Sequence, residues 1–244
     1  MSIPADLDSE TDEASETRPP LVVAVDGPSG AGKSSTSRGA AQALGLRYLD
    51  TGAMYRALTW WLLHRGVNVR DSAAVAALAA EPDIEIGTDP GAPWVRVNGT
   101  DVTAEIRRQE VTGAVSAVAS VPQVRALLIA QQRDIIAGAG GIVAEGRDIG
   151  TVVAPDAPVK VFLTADSAER ASRRAAQTSQ STASTQADQD RRDRLDSGQS
   201  AKADDAVEID STALDLAEVV DIIVRLACET RRQAGLPQPR QQST

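Results

Sequence analysis

Beyond residue 20 the chain alternates short apolar runs with longer stretches whose apolar residues return every third or fourth position, a pattern that predicts strands interleaved with helices. The run at 21–26 predicts a buried strand, 33–44 a helix, 46–48 a short strand and 53–64 a second helix, with Gly45 and Gly66 as helix stops. An Ala-rich helix over 72–80 precedes two segments of period-two alternation, 84–86 and 94–97, and Asn98-Gly99 then reads as a hairpin turn. Helices are predicted over 104–119 and 123–137. Gly140-Gly141 opens a buried strand at 142–145, and a further strand at 159–163 leads into a helix to 176 capped by Thr164 or Asp166. A last strand, 207–210, feeds a helix over 214–231.

Strands and helices in this order predict an α/β fold of three layers, a mostly parallel sheet covered on both faces, with ligands at the carboxyl ends of the strands. The core is expected over 20–66 and 104–234, interrupted by a small β-containing insertion at 67–103. Residues 1–19 are acidic and nearly free of large apolar groups, so they are expected to be a disordered leader, and 235–244 a flexible tail. The Ser/Thr/Gln/Ala-rich stretch 177–189, followed by Asp190-Arg-Arg-Asp-Arg194, is expected to be a mobile surface segment.

Composition narrows the function. The formal net charge is −9, but the leader holds six acids against Arg18, which leaves 24 bases against 28 acids in the body. Without a basic excess there is no field to attract nucleic acid or a membrane surface, so a bound anion must be held by locally placed arginines. A small ligand is expected. Cys228 is alone in an apolar helical pattern, which predicts a buried, inert thiol and no disulfide. No run approaches the roughly 18 apolar residues of a membrane span, and the start lacks the basic and apolar regions of an export signal, so the cytoplasm is the expected location.

The residues that carry chemistry begin directly behind the first strand. Gly27-Pro28-Ser29-Gly30-Ala31-Gly32-Lys33-Ser34 fits G-x-x-x-x-G-K-[ST], a loop whose backbone N–H groups and following helix N-terminus hold a di- or triphosphate. Its glycines allow φ > 0 and keep side chains clear of phosphate oxygens, Lys33 supplies a cation and Ser34 a hydroxyl for Mg²⁺. Gly146-Arg147-Asp148 follows the strand at 142–145, at the edge where ligands sit. Arg147 could clamp a phosphate bidentately while Asp148 accepts from an exocyclic amine; an ion pair capping the loop is the alternative. Arg56 follows Asp50-Thr51-Gly52 by one helical turn, and Arg107 and Arg125 belong to the next two helices. His64 reads as a helix-end residue, and of the adjacent Trp60 and Trp61 at least one should be core.

Five blocks in order resemble the bacterial cytidylate kinases, P-loop proteins of the nucleoside monophosphate kinase group. They are Val25-Asp-Gly-Pro-Ser-Gly-Ala-Gly-Lys33, Leu49-Asp-Thr-Gly-Ala-Met-Tyr-Arg56, Glu105-Ile-Arg-Arg-Gln-Glu-Val111, Glu145-Gly-Arg-Asp-Ile-Gly-Thr-Val-Val153 and Pro155-Asp-Ala-Pro-Val-Lys-Val-Phe-Leu163. The resemblance implies phosphoryl transfer from ATP to CMP or dCMP with Mg²⁺, by a monomer. It implies that the loop from Gly27 to Ser35 binds ATP with Arg170 and Arg174, and that Thr51, Arg56 and Arg147 hold the acceptor. Ser116, Arg125 and Asp148 would read cytosine, Arg192 and Asp196 would reach the ribose, and Lys33, Arg147 and Arg192 would act on the transferring group. The insertion at 67–103 would be the acceptor-side domain and 177–199 the lid. Gln199 departs from the family, which has an arginine there, and the lid is short.

Three rival readings differ in class. A GTP-driven switch needs an Asn-Lys-x-Asp element, and Asn98-Gly-Thr-Asp101 lacks the lysine. A kinase for a hydroxylated small molecule would use Asp50 as base but leaves Arg147-Asp148 without a task. A nucleotide-binding protein without turnover is motivated by Gln199.

Overall fold

The computed structural model describes residues 20–178 and 201–234, the side chains of 174–178 excepted. The chain runs β1 (Val22–Asp26), α1 (Lys33–Leu44), β2 (Arg47–Asp50), α2 (Thr51–His64) and α3 (Ser72–Leu78). Three short strands follow, β3 (Ile84–Ile86), β4 (Val95–Val97) and β5 (Thr100–Asp101), then a 3₁₀ turn (Glu105–Arg107), α4 (Gln109–Ala119) and α5 (Pro122–Ala137). After β6 (Ile142–Glu145) come a single π-helical turn (Ile149–Val153), β7 (Val159–Thr164), α6 (Ser167–Thr178), β8 (Val207–Asp210) and α7 (Leu216–Gln233).

The main sheet has the order β2-β6-β1-β7-β8, and every neighbouring pair is parallel. Period two along each strand divides the core. Val23 and Val25 of β1 face α1 and α7 with Tyr48, Val143 and Val161, while Ala24 faces the opposite layer with Leu49, Ala144 and residues of α2 and α5. Gly39 of α1 lets α7 approach closely, since a Cβ there would lie 2.8 Å from Val220 Cγ2.

The second sheet, β3-β4-β5, is antiparallel, and Asn98 and Gly99 both take positive φ in its turn, the conformation that the Asn-Gly pair predicts. It has no core of its own. Val95, Val97 and Val102 pack into the layer that holds α2, Met54 and Leu58. Its loop also reaches the main sheet, where Tyr48 N of β2 donates to Thr88 O (2.9 Å) and Arg38 Nε of α1 donates to Pro90 O (3.0 Å).

Three features differ from the sequence expectations. The helix predicted over 104–119 is broken, because Ile106 is buried in the core while Arg108 is extended at φ −61°, ψ 151°. The π-helical turn is not predicted, because no periodicity marks a five-residue element whose first two N–H groups are held by a distant carboxylate. Cys228 is half-buried at the margin of α7 rather than buried. Trp61 is core as expected, while Trp60 is half-buried and stacks on exposed His64 with ring centroids 5.2 Å apart.

Ile223 lies fully buried between α7 and the sheet. Ile223→Ala is expected to lower unfolding free energy by about 2–5 kcal/mol in urea titration, whereas Leu216→Ala, at a half-exposed helix start, should change it by less than about 1 kcal/mol.

Candidate active site

Strand ends build the site. β1 delivers the chain into Gly27, whose φ of 147° and lack of a side chain are both required, since a Cβ there would stand 2.1 Å from Leu163 O. Gly30 (φ 81°) and Gly32 (φ 91°) continue the turn, and no side chain caps the first N–H groups of α1 at Gly32. Those amides are therefore directed into the loop that precedes them. Lys33 Nζ donates to Gly27 O (2.8 Å) and Pro28 O (2.7 Å), which places its ammonium inside the loop. Arg170 of α6 donates to Ser29 O (2.9 Å), so the sixth helix is tied to the same turn.

Beside β1 the strands β2 and β6 end in step, with Asp50 opposite Glu145 and Val25 opposite Glu145 on its other side. Asp50 caps α2 by accepting from Ala53 N (2.9 Å) and uses its second oxygen for Arg56 Nη2 (2.7 Å), with Arg107 Nη2 at 3.9 Å. Both oxygens are thereby engaged in holding α2 and Arg56. Thr51 Oγ1 donates to Glu145 O (2.7 Å). Asp148 pairs with Arg125 of α5, so the carboxylate after Arg147 is held by a helix and not by its neighbour in sequence. Arg147 is half-buried in the same loop, and Ser116 is half-buried on α4. Arg192 and Asp196 lie outside the described residues, as do the side chain of Arg174 and lid residues 179–199.

Glu145 is buried and accepts a hydrogen bond from the Tyr48 hydroxyl. Burial, reinforced by the negative charge of Asp50, pushes its carboxyl up to about 7, while Lys33, Tyr48 and Ser34 pull it down. Tyr48 is raised in turn, by burial first and then by the carboxylates beside it.

The model of the cytidylate kinase family matches residues 23–229. The chain belongs to the cytidylate kinase family. It is 51% identical over 224 residues to a cytidylate kinase of Streptomyces avermitilis, an alignment covering 89% of this chain and 97% of that protein. It is 54% identical over 224 residues to the cytidylate kinase of Streptomyces griseus subsp. griseus, covering 89% and 96%. A bifunctional pantoate ligase/cytidylate kinase of Synechococcus elongatus is 45% identical over 219 residues, covering 84% of this chain and 41% of that longer protein. The enzyme class is accordingly that of a nucleoside monophosphate kinase, and its substrates are small-molecule nucleotides.

Several side chains at this cytidylate kinase site escape sequence reasoning. Arg173 bonds to Glu169 (2.8 Å) and to Ser211 Oγ and O (3.0 and 2.7 Å), and so joins α6 to the segment after β8 behind Gly32. Gln132 of α5 is fully buried and brings its amide toward the Tyr55 hydroxyl, yet neither amide atom completes a hydrogen bond. The i, i+4 row Val124, Leu128, Gln132, Ile136 was the available signal, a polar residue on an otherwise apolar helix face. Asp26, last in β1, is 5% exposed and accepts from Ile149 N and Gly150 N, both at 2.8 Å.

The raised carboxyl of Glu145 has a sign that melting can read. Folding favours its protonated form, so its contribution is full below the ordinary value of 4.5 and is lost as pH rises through about 7. The stability of the wild type relative to Glu145→Gln is expected to fall between those limits and to level off above them, measured by thermal melts at stepped pH. Parallel curves for the two proteins would contradict the assignment.

Proposed function

We propose that the chain transfers the γ-phosphoryl group of ATP to CMP, and to dCMP, giving ADP and CDP or dCDP. What supports the reading is the arrangement of two anion cradles on one sheet edge, the glycine turn after β1 and the guanidinium groups around Arg147-Asp148. They are coupled through Gly146 N, which donates to Val25 O at 3.0 Å. In the first cradle the amides of Gly27 to Ser35, with Lys33, would hold the β- and γ-phosphates, and Arg170 and Arg174 would close over them. In the second, Thr51, Arg56 and Arg147 would hold the acceptor phosphate. Asp148, oriented by Arg125 and assisted by Ser116, would accept from the cytosine amine.

The chemistry needs no general base. The acceptor oxygen belongs to a phosphate monoester whose second pKa is about 6, so it is ionised at neutral pH. A bond forms between that oxygen and Pγ as the bond from Pγ to the β-bridging oxygen breaks, and ADP leaves carrying the electron pair. The protein's part is alignment and charge neutralisation by Lys33, Arg147 and Arg192. Closure of the segment 177–199 would exclude water as a competing acceptor. Residues 67–103 would form the wall on the acceptor side.

The site is suited to Mg²⁺, because Ser34 presents a hydroxyl near the Glu145 carboxyl beside the loop, a hard oxygen set. Among the described residues no group of three acidic, His or Cys side chains forms a cage, so most of the ion's coordination would fall to substrate phosphates and water. When bound, Mg²⁺ supplies neutralisation of the phosphate charge. Among the described residues no single helix is long and apolar enough to cross a membrane, and a cytoplasmic monomer fits the proposed activity.

A coupled assay with ATP and Mg²⁺ is expected to form CDP from CMP faster than it phosphorylates AMP, GMP or UMP. ATP binding without transfer to any monophosphate would refute the reading. Asp148→Ala should erode the preference for CMP over UMP more than it weakens ATP binding. Lys33→Ala should lower turnover at least about a hundredfold, the loss of a cation worth a few kcal/mol in the transition state.

A further inference from the structure

Asp26 ends β1 between the glycine turn and the loop that follows β6. Its own backbone leads directly into Gly27, where the 2.1 Å approach that a Cβ would make to Leu163 O leaves the turn no slack. Its two carboxylate oxygens divide between consecutive amides, Oδ1 accepting from Ile149 N and Oδ2 from Gly150 N, both at 2.8 Å. Those amides lie one and two residues beyond Asp148. They open a π-helical turn, a rare element that is closed here by Val152 N and Val153 N on Asp148 O and by Ala154 N on Ile149 O, with Arg133 donating to the carbonyls of Val152 and Val153 at its far end.

The packing around this joint is close. A Cβ on Gly150 would stand 3.4 Å from Asp26 Oδ2 and 3.2 Å from Lys160 Cδ. Lys160 covers the turn with its stem and gives its ammonium to Asp205 (2.9 and 2.8 Å), so it does not neutralise Asp26. The carboxylate is compensated by amide N–H groups, with Lys33 near on the donor side and Asp148 on the acceptor side. Burial raises its pKa, and the two N–H groups oppose that shift.

We propose that Asp26 is a positioning residue that sets the distance and orientation of Arg147 and Asp148 relative to the phosphate loop, by holding the turn that follows them to the residue that precedes Gly27. An ordinary loop cap would stabilise one segment. Asp26 instead joins the last residue of the donor strand to the acceptor loop, so an error of position at Asp26 becomes an error in the gap a phosphoryl group must cross. In-line transfer is sensitive to misplacement of this kind.

The proposal rests on the CMP kinase reading, and the test separates the two. If the wild type forms no CDP from CMP, that reading fails; the remaining measurements concern Asp26 alone. Asp26→Asn keeps the shape but replaces one acceptor oxygen with an NH₂ that faces an amide N–H. It is expected to lower kcat/KM for CMP by about tenfold, the ratio that matches one lost charge-assisted hydrogen bond. KM for ATP should stay within about twofold. The share of consumed ATP recovered as CDP should also fall, because a displaced acceptor lets water compete. Equal changes for CMP and ATP, or a lower melting temperature with unchanged kinetics and full recovery as CDP, would overturn it. Should Asp26→Asn fail to fold, Gly150→Ala pushes on the same joint and should raise KM for CMP selectively; an unchanged CMP-to-ATP ratio there would also overturn it.

Discussion

The register of β1 between β6 and β7 is the constraint on which the rest depends. Val25 lies opposite Glu145 and Asp26 opposite Phe162, so the strands end nearly level and their loops leave the sheet side by side. In a parallel ladder a shift by one residue would turn every buried valine of β1 to the wrong face, and the two-sided core forbids it. Gly146 N, bonded to Val25 O, extends the ladder one step past the strand and carries the Arg147-Asp148 loop with it. Hydrophobic burial thus fixes a distance that phosphate chemistry requires.

Charge at the site is arranged locally, which suits a chain whose formal net charge is −9. Arg56 and Arg107 share Asp50, Arg125 is held by Asp148, and Arg170 is anchored to the carbonyl of Ser29. Arg56, Arg125 and Arg170 have thereby lost rotamer freedom before any ligand arrives, so less ordering remains to be done on binding, while Arg107 stays largely exposed. Glu145, behind Lys33, is held toward its protonated form by burial first and by the charge of Asp50 second.

The alternation of strands and helices, the phosphate loop and the Asn98-Gly99 turn were legible because each depends on local sequence: periodicity, glycine spacing and a positive-φ pair. The five blocks from Val25 to Leu163 made the family legible as well. What escaped is non-local. The break at Arg108 follows from the burial of Ile106, and the partner of Asp148 is a helix residue 23 positions away. Asp26 reads in sequence as one acid after five apolar residues, and only the fold brings it against an amide 123 positions away. The Asp215-Glu218 capping box starts α7 at Leu216, later than the apolar pattern alone predicts.

The contact between Thr88 and Tyr48 bears on solubility as well as on architecture. β2 is the outermost strand on its side, and an open strand of that kind offers free amides and carbonyls to any neighbouring molecule. Thr88 takes up the Tyr48 amide, and Pro90, held by Arg38, cannot extend the pairing. The small antiparallel sheet therefore also shields a flank, and a shortened version of the chain without it would be prone to self-association even with every phosphate-binding group in place.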